Sequence, residues 1–410
     1  MSGSPQTRSS ILGIVFFTVF LDLIGFGILI PIQPFYAQKL GASPSVITLL
    51  GASFSAMQFL FGSFWGRLSD RIGRRPVMLI SIALTAFGYL LFGLSSSLTV
   101  LFIARMLSGL GSANIGTAQA IIADSTDAEN RAKGMGLIGA AFGLGFIFGP
   151  VLGGLVVKFG LEAPAFVAAG LSAINWVIAL IRLPETNPVK EAKALHVPKV
   201  TSRPQLSWAA LKHAARHPQV GYILAMYLIF SASFSMMENV LGLFIQHYWV
   251  PHGSISTDFE SKHAASLTAY MLIVVGVTAT IVQGYLIGKL AKRFGEKKLL
   301  AVGPALVALA FFLIPEIGWS GVYGGMLLVA IIMASGTGIT HPSLSSLLSR
   351  SVDADEQGGT LGLGQSLAAL GRVLGPSVSG LLFQVYPGLP FWTGSILLLI
   401  TSLLAVALLR

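Results

Sequence analysis

Twelve apolar runs, each twenty or more residues long, alternate with short polar connections along this chain. They cover 11–36, 45–65, 76–96, 98–123, 132–158 and 162–183. After a break they cover 219–249, 265–288, 297–316, 320–348, 358–384 and 389–409. A helix rising about 1.5 Å per residue needs about 20 apolar residues to cross a hydrocarbon core about 30 Å thick. Soluble strands stop at about 10 residues. The pattern therefore predicts an all-α integral membrane protein with twelve transmembrane helices. The break, 184–218, is polar, basic and punctuated by proline, as suits a linker. The expected organisation is a six-helix bundle over 1–183, a cytoplasmic linker over 184–218 and a second six-helix bundle over 219–410. Within the linker, "LSWAALKHAAR" predicts a short surface helix.

Composition agrees. Of the 410 residues, 54% are hydrophobic and 10% charged, where a soluble domain carries about 25% charged residues. Cysteine is absent, which removes disulfides, thiol nucleophiles and thiolate metal sites. The first apolar run is long and lacks a small-residue cleavage site, so it reads as a retained helix, not a signal peptide. The net charge of +10 resolves into topology. With the N-terminus inside, 21 of the 26 Lys and Arg residues fall in inside segments. Only Lys39, Lys158 and Lys262 fall outside, and Arg105 and Arg372 lie within spans. Such a bias predicts both termini in the cytoplasm and leaves no case for nucleic acid as a partner.

The two halves repeat. "GRLSDRIGRRPVML" (66–79) aligns with "GKLAKRFGEKKLLA" (288–301). "FGPVLGG" (148–154) aligns with "LGPSVSG" (374–380), and "DAEN" (127–130) with "DADE" (353–356). A repeat on this scale predicts a pseudo-twofold pair of bundles. The match is imperfect, because Lys292 stands where the first loop has Asp70.

The loop Gly66-x-Leu68-x-Asp70-Arg71-x-Gly73-Arg74-Arg75 resembles the signature between helices 2 and 3 of the major facilitator superfamily. "LFIARMLSGLGSA", with Arg105, Gly109 and Gly111, resembles the superfamily's helix 4 motif. "GLGFIFGPVLGG" (143–154) resembles its antiporter motif on helix 5, and "LDLIGFGILIPIQP" resembles helix 1 of the twelve-helix drug:proton antiporters, the tetracycline-exporter branch. The resemblance implies the major facilitator fold and a secondary transporter. The expected activity is export of amphipathic, drug-like small molecules in exchange for protons by alternating access. The alternatives are a proton-coupled carrier of one defined metabolite, or a membrane receptor that has lost transport. It also implies a working monomer, and a charge network at Gly66, Asp70, Arg74 and Asp124 that latches one state. The compact loops and short tails point to a bacterial inner membrane.

Physical reasons accompany these motifs. Gly66 and Gly73 would give the 66–75 loop a permissive backbone, and Asp70 would favour a neighbouring helix N-terminus. Gly145, Gly149 and Gly153 recur every four residues, which permits close helix approach, and Pro150 permits a bend.

Four ionisable residues fall near mid-span: Asp22, Arg105, Glu238 and Arg372. Each costs at least about 2.5 kcal/mol by insertion scales, so such groups face a partner or a cavity. Counting along the helices puts Asp22 and Arg105 at similar depth. Asp22 is thus either a proton site or the fixed partner of Arg105. Glu238, with no obvious partner in sequence, is expected to bind a proton or a cationic substrate directly. Asp22, Glu238 and Arg105 are the proton-coupling candidates. Polar stripes add Gln33 on the face of Asp22, Gln119 in step with Arg105 and Ser112, Tyr227 in step with Ser231 and Glu238, and Arg372 in step with Gln365 and Ser379. The substrate-binding candidates are Gln33, Asn114, Gln119, Tyr227, Glu238 and Arg372. Asn114, Asn175, Gln58, Gln246, Gln283 and His341, taken singly, read as interhelical hydrogen-bonding residues.

No phosphate-binding loop occurs. His213 and His217 are four apart without a third ligand nearby. The sequence therefore predicts no enzyme, no metal and no cofactor; the partners expected are a small-molecule substrate, protons and the lipid bilayer.

Overall fold

The computed structural model describes every residue except 1–4, 127, 188–217, 251–256, 353–356 and 409–410. The short linker helix, the DAEN/DADE pair in part, His213 and His217 lie outside the described residues.

The described chain is helical throughout. In order the helices are α1 (Pro5–Leu29), α2 (Gln33–Lys39), α3 (Pro44–Ile72), α4 (Arg74–Gly93), α5 (Leu98–Gly111), α6 (Ile115–Ser125), α7 (Ala128–Val156) and α8 (Ala163–Arg182). They continue as α9 (Pro218–Trp249), α10 (Thr257–Ile281), α11 (Ile287–Phe294), α12 (Glu296–Ser320), α13 (Tyr323–Arg350), α14 (Gln357–Val385) and α15 (Leu389–Ala407). Among the described residues, eleven stretches are long and apolar enough to cross a membrane, and Gly143–Phe159, through the end of α7, forms a shorter apolar helix. The twelve expected runs are accounted for.

Three runs differ in detail. The first is broken: α1 ends at Leu29, and Pro31 and Pro34 follow, with Pro34 in the first turn of α2. Proline lacks the amide that a continuing helix needs but suits a helix start. Gln33 therefore does not share a helix face with Asp22. The fourth run contains a 3₁₀ turn, Ser112–Asn114, between α5 and α6. The eighth is one long rod whose α10 and α11 are joined by a π turn, Val282–Leu286, a geometry with one extra residue per turn.

The chain packs into two compact units. One comprises Met1–Leu29 and Met57–Arg203, the other Ile30–Ala56 and Pro204–Arg410. In the first unit α1 lies against α7. A Cβ at Gly149 would stand 2.6 Å from Gly27 Cα, and one at Gly145 would stand 2.5 Å from Leu23 Cβ. In the second, α9 lies against α14 by the same device: a Cβ at Gly371 would meet Leu228 O at 2.6 Å, and one at Gly375 would meet Ala232 O at 2.2 Å. Gly371 and Gly375 are the repeat equivalents of Gly145 and Gly149, 226 residues further on. The second unit also takes in α2 and the start of α3. There, a Cβ at Gly380 would meet Thr48 Oγ1 at 2.2 Å, and one at Gly242 would meet the Phe35 ring at 3.2 Å.

Candidate functional site

In the first unit the polar centre is built on Asp22. The residue is 8% exposed, and α1 carries it inward with apolar neighbours. Its two oxygens are held by two amides: Asn114 Nδ2 donates to Oδ2 at 3.1 Å, and Asn175 Nδ2 donates to Oδ1 at 3.0 Å. Asn114 also donates to Ser81 Oγ at 3.0 Å, and Asn175 to Thr18 O at 3.1 Å. Asn114 ends the 3₁₀ turn that interrupts the fourth run. Of the two sequence alternatives for Asp22, proton site or fixed partner of Arg105, neither is singled out by distance alone; what the structure shows is an amide donor on each carboxylate oxygen. Arg105 is buried nearby. Arg105, Asp22 and Ser112 all stand close enough to Tyr89 to act on its hydroxyl. Gly25, one turn from Asp22, makes room for this ring, since a Cβ there would lie 2.9 Å from Tyr89 Cε2. Gln119 is exposed on α6, beyond the 3₁₀ turn.

In the second unit Glu238 on α9 and Arg372 on α14 are half-buried, and their charges act on one another. Arg372 also acts on His341 of α13, whose ring meets that of Phe230 edge-on, centroids 5.2 Å apart. His341 is exposed although it lies mid-helix. By sequence alone it reads as a single polar residue within a span. The signal available was its helical offset from the other charges, which does not fix a distance between helices. Tyr227, by contrast, is buried among apolar side chains and bonds Ser345 Oγ at 2.9 Å. Gln33 is buried in α2.

The charge network over the α3–α4 turn is larger than the sequence suggested. Arg74 Nη1 donates to Asp70 Oδ1 and to Ser69 Oγ, both at 2.6 Å, and Arg74 Nε donates to Asp124 Oδ2 at 3.1 Å. Two residues from the linker complete it. Glu185 Oε1 accepts from the Arg74 backbone amide at 2.8 Å, and Asn187 Nδ2 donates to the Ser69 and Asp70 carbonyls at 3.0 Å each. Glu185 therefore caps the N-terminus of α4, where an anion is favoured, while Asn187 satisfies carbonyls at the end of α3. Gly73 turns between them at φ +113°. Gly66 does not serve the turn: it lies within α3, and a Cβ there would meet nothing.

The second half carries the same device with reversed charge. Glu296 is the repeat equivalent of Arg74, and Arg350 of Asp124. Arg350 Nη2 lies 3.3 Å from Glu296 Oε1, which also accepts from Ser346 Oγ at 2.8 Å. Gly295, the equivalent of Gly73, has φ +79°. Lys292 at the Asp70 position thus does not leave this half without an ion pair; the pair is rebuilt with its signs exchanged. No group of three or more candidate metal ligands occurs among the described residues.

Known proteins resemble the whole chain. Tetracycline resistance protein class C of Escherichia coli is 30% identical over 392 residues, 93% of each chain. Tetracycline resistance protein class B of the same organism is 29% identical over 379 residues, 91% of this chain and 88% of that one. Multidrug resistance protein 2 of Bacillus subtilis is 28% identical over 394 residues, covering 95% and 93%. Among solved structures, the human organic anion transporter MFSD10 superposes with a TM-score of 0.70 at 24% identity, over 97% of this chain and 99% of that one. The nucleoside transporter NupG superposes with a TM-score of 0.74 at 16% identity, over 97% and 98%. The Major Facilitator Superfamily model matches residues 15–257 and 248–410. With that match spanning both helical halves, the chain belongs to the Major Facilitator Superfamily of membrane transporters.

Proposed function

We propose that this protein exports amphipathic, drug-like small molecules in exchange for protons, and that Asp22 is a proton site. The observation that carries this is the pair of asparagine amides on its carboxylate. A buried acid held by a guanidinium would have to break an ion pair to change its protonation. One held by neutral amides can gain or lose a proton while its neighbours stay in place. The names of the most similar relatives, tetracycline and multidrug resistance proteins, support a drug-like substrate.

Glu238, Arg372 and His341 form the matching polar centre of the second unit, and there Glu238 binds a proton or a cationic substrate. Arg105 tunes the Asp22 centre through its charge. Gln33, Asn114, Gln119, Tyr227 and Arg372 are the remaining substrate-binding candidates, with Tyr227 acting through Ser345. Bundles 1–183 and 219–410, joined by the linker 184–218, exchange inward- and outward-facing states about the midplane. The Asp70–Arg74–Asp124 network latches one state, and the Gly145, Gly149, Pro150 and Gly153 face of α7 is the packing surface that persists between states. The protein works as a monomer in a bacterial inner membrane with both termini in the cytoplasm.

The test is proton release on substrate addition. Purified protein in weakly buffered detergent is given tetracycline, then tetraphenylphosphonium, while pH is followed. Wild type is expected to release protons. Asp22→Asn is expected to bind without release, and Glu238→Gln to lose release selectively with the cation. Binding without release by wild type across pH 5 to 9 would overturn the exchange and favour a uniporter or a non-transporting receptor.

A further inference from the structure

On the second unit a groove of about 360 Å³ opens between α12 and α15, lined by Phe312, Glu316, Trp392, Ser395, Ile396 and Leu399. The spacing explains it. Residues 312 and 316 are one turn apart on α12, while 392, 395, 396 and 399 share one face of α15. Ser395 Oγ donates to Ala308 O at 2.8 Å and closes the floor.

Three features of this groove belong together. Glu316 lies four residues from the end of α12 at Ser320, hence about 6 Å inside it. Among the described residues it makes no hydrogen bond or ion pair. At the same level stand three aromatic rings. Tyr386 and Trp392 stack at 5.5 Å, and Trp319 meets Trp392 edge-on at 6.0 Å. The Trp392 indole N–H is buried and meets no acceptor. Below this polar end the track becomes wholly apolar and faces outward: Phe312 is 51% exposed, Leu399 48% and Leu403, the next turn of the same face, 67%. The groove thus has a charged end at the level of helix termini and an apolar stem running towards the helix centres. That is the polarity of a bilayer lipid seen from the side. A soluble cation would not need the stem.

We propose that this groove binds a phospholipid whose headgroup ends in a primary ammonium, namely phosphatidylethanolamine. The ammonium donates to the Glu316 carboxylate and rests against the rings of Trp319 and Trp392, where cations are attracted. A phosphate oxygen accepts from the Trp392 indole N–H. The acyl chain lies along Phe312, Leu399 and Leu403. A quaternary choline headgroup has no N–H to give Glu316, so the site discriminates on hydrogen bonding as well as charge. Filling it would satisfy a half-buried carboxylate and a buried indole N–H together.

The experiment is native mass spectrometry of the full chain released from nanodiscs. The nanodiscs contain equal parts phosphatidylethanolamine, its monomethyl and dimethyl forms, phosphatidylcholine and phosphatidylglycerol. Wild type is expected to retain phosphatidylethanolamine above the others, with retention falling at each methylation. Glu316→Gln is expected to lower that retention about tenfold, the factor one charge-assisted hydrogen bond carries, and to leave phosphatidylglycerol retention unchanged. Trp392→Phe keeps the ring and is expected to lower retention of both ethanolamine and choline lipids. A melting transition within a few degrees of wild type shows that each variant is folded. Equal retention of ethanolamine and choline lipids by wild type would overturn the proposal. So would unchanged ethanolamine retention in Glu316→Gln accompanied by weaker tetraphenylphosphonium binding, which would make the groove a substrate entry instead.

Discussion

Asp22 is a charge placed by one helix and held by two others, and its partners show what a linear pattern can reveal. A carboxylate inside an apolar run is visible by inspection. Its depth is countable, and so is that of Arg105. What counting cannot give is the 3₁₀ turn at Ser112–Asn114, at whose end the Asn114 amide meets Asp22; depth alone offers Arg105 as the partner. Asn175 was legible only as a single polar residue. Replacing it by leucine leaves Asp22 Oδ1 without its donor inside the bundle. The expected loss is about 1–3 kcal/mol, read as a lower melting temperature in detergent, with a larger loss at high pH, where the carboxylate is charged. A loss independent of pH would mean that the amide serves only packing. Glycines make a second residue-scale case. Gly149→Val would drive a side chain into Gly27, and overpacking of this kind costs about 1–3 kcal/mol. Gly66→Ala faces open space and is expected to melt as wild type does.

Between elements, the two connecting turns carry matched devices of opposite sign. The turn glycines were legible because a repeat preserves them; the network was legible only in part. Glu185 and Asn187 sit 111 or more residues from their partners in a segment that reads as linker, and nothing local announces a capping role. Glu185→Gln is expected to raise hydrogen exchange at the start of α4 about fivefold, a loss of about 1 kcal/mol of capping and charge stabilisation. In the other half the Glu296–Arg350 pair is more open, with the Arg350 side chain 73% exposed. An exposed pair contributes about 0–1 kcal/mol. Glu296→Gln is therefore expected to change exchange at the start of α12 by less than Glu185→Gln does at α4. Equal effects would show that the second turn also depends on its ion pair.

For the whole molecule, hydropathy was sufficient to find every span, because each must hide its own backbone from lipid and so announces its length. The family followed from motif residues at fixed places in that order. The breaks within spans were less legible: prolines predict the gap after Leu29, but the π turn at Val282–Leu286 has no such marker. Orientation rests on the distribution of Lys and Arg. A C-terminal green fluorescent protein fusion is expected to fluoresce, and a C-terminal alkaline phosphatase fusion to be inactive. The reverse pair of results would invert the topology.

Residues 30–56 belong to the packing of the second unit, and this has a consequence for the order of synthesis. Ribosomes add about 5–20 residues per second, and α9, the next helix of that unit, begins at Pro218. Gly242 follows Phe35 by 207 residues and Gly380 follows Thr48 by 332, so the short helix α2 and the first turns of α3 are finished roughly ten seconds to a minute before the surfaces they settle on exist. During that interval the Phe35 ring and the Thr48 hydroxyl have neither Gly242 nor Gly380 to meet. The nascent first half must hold this segment in the membrane unpaired, and translation arrested before residue 218 should leave it open to protease or to a membrane chaperone.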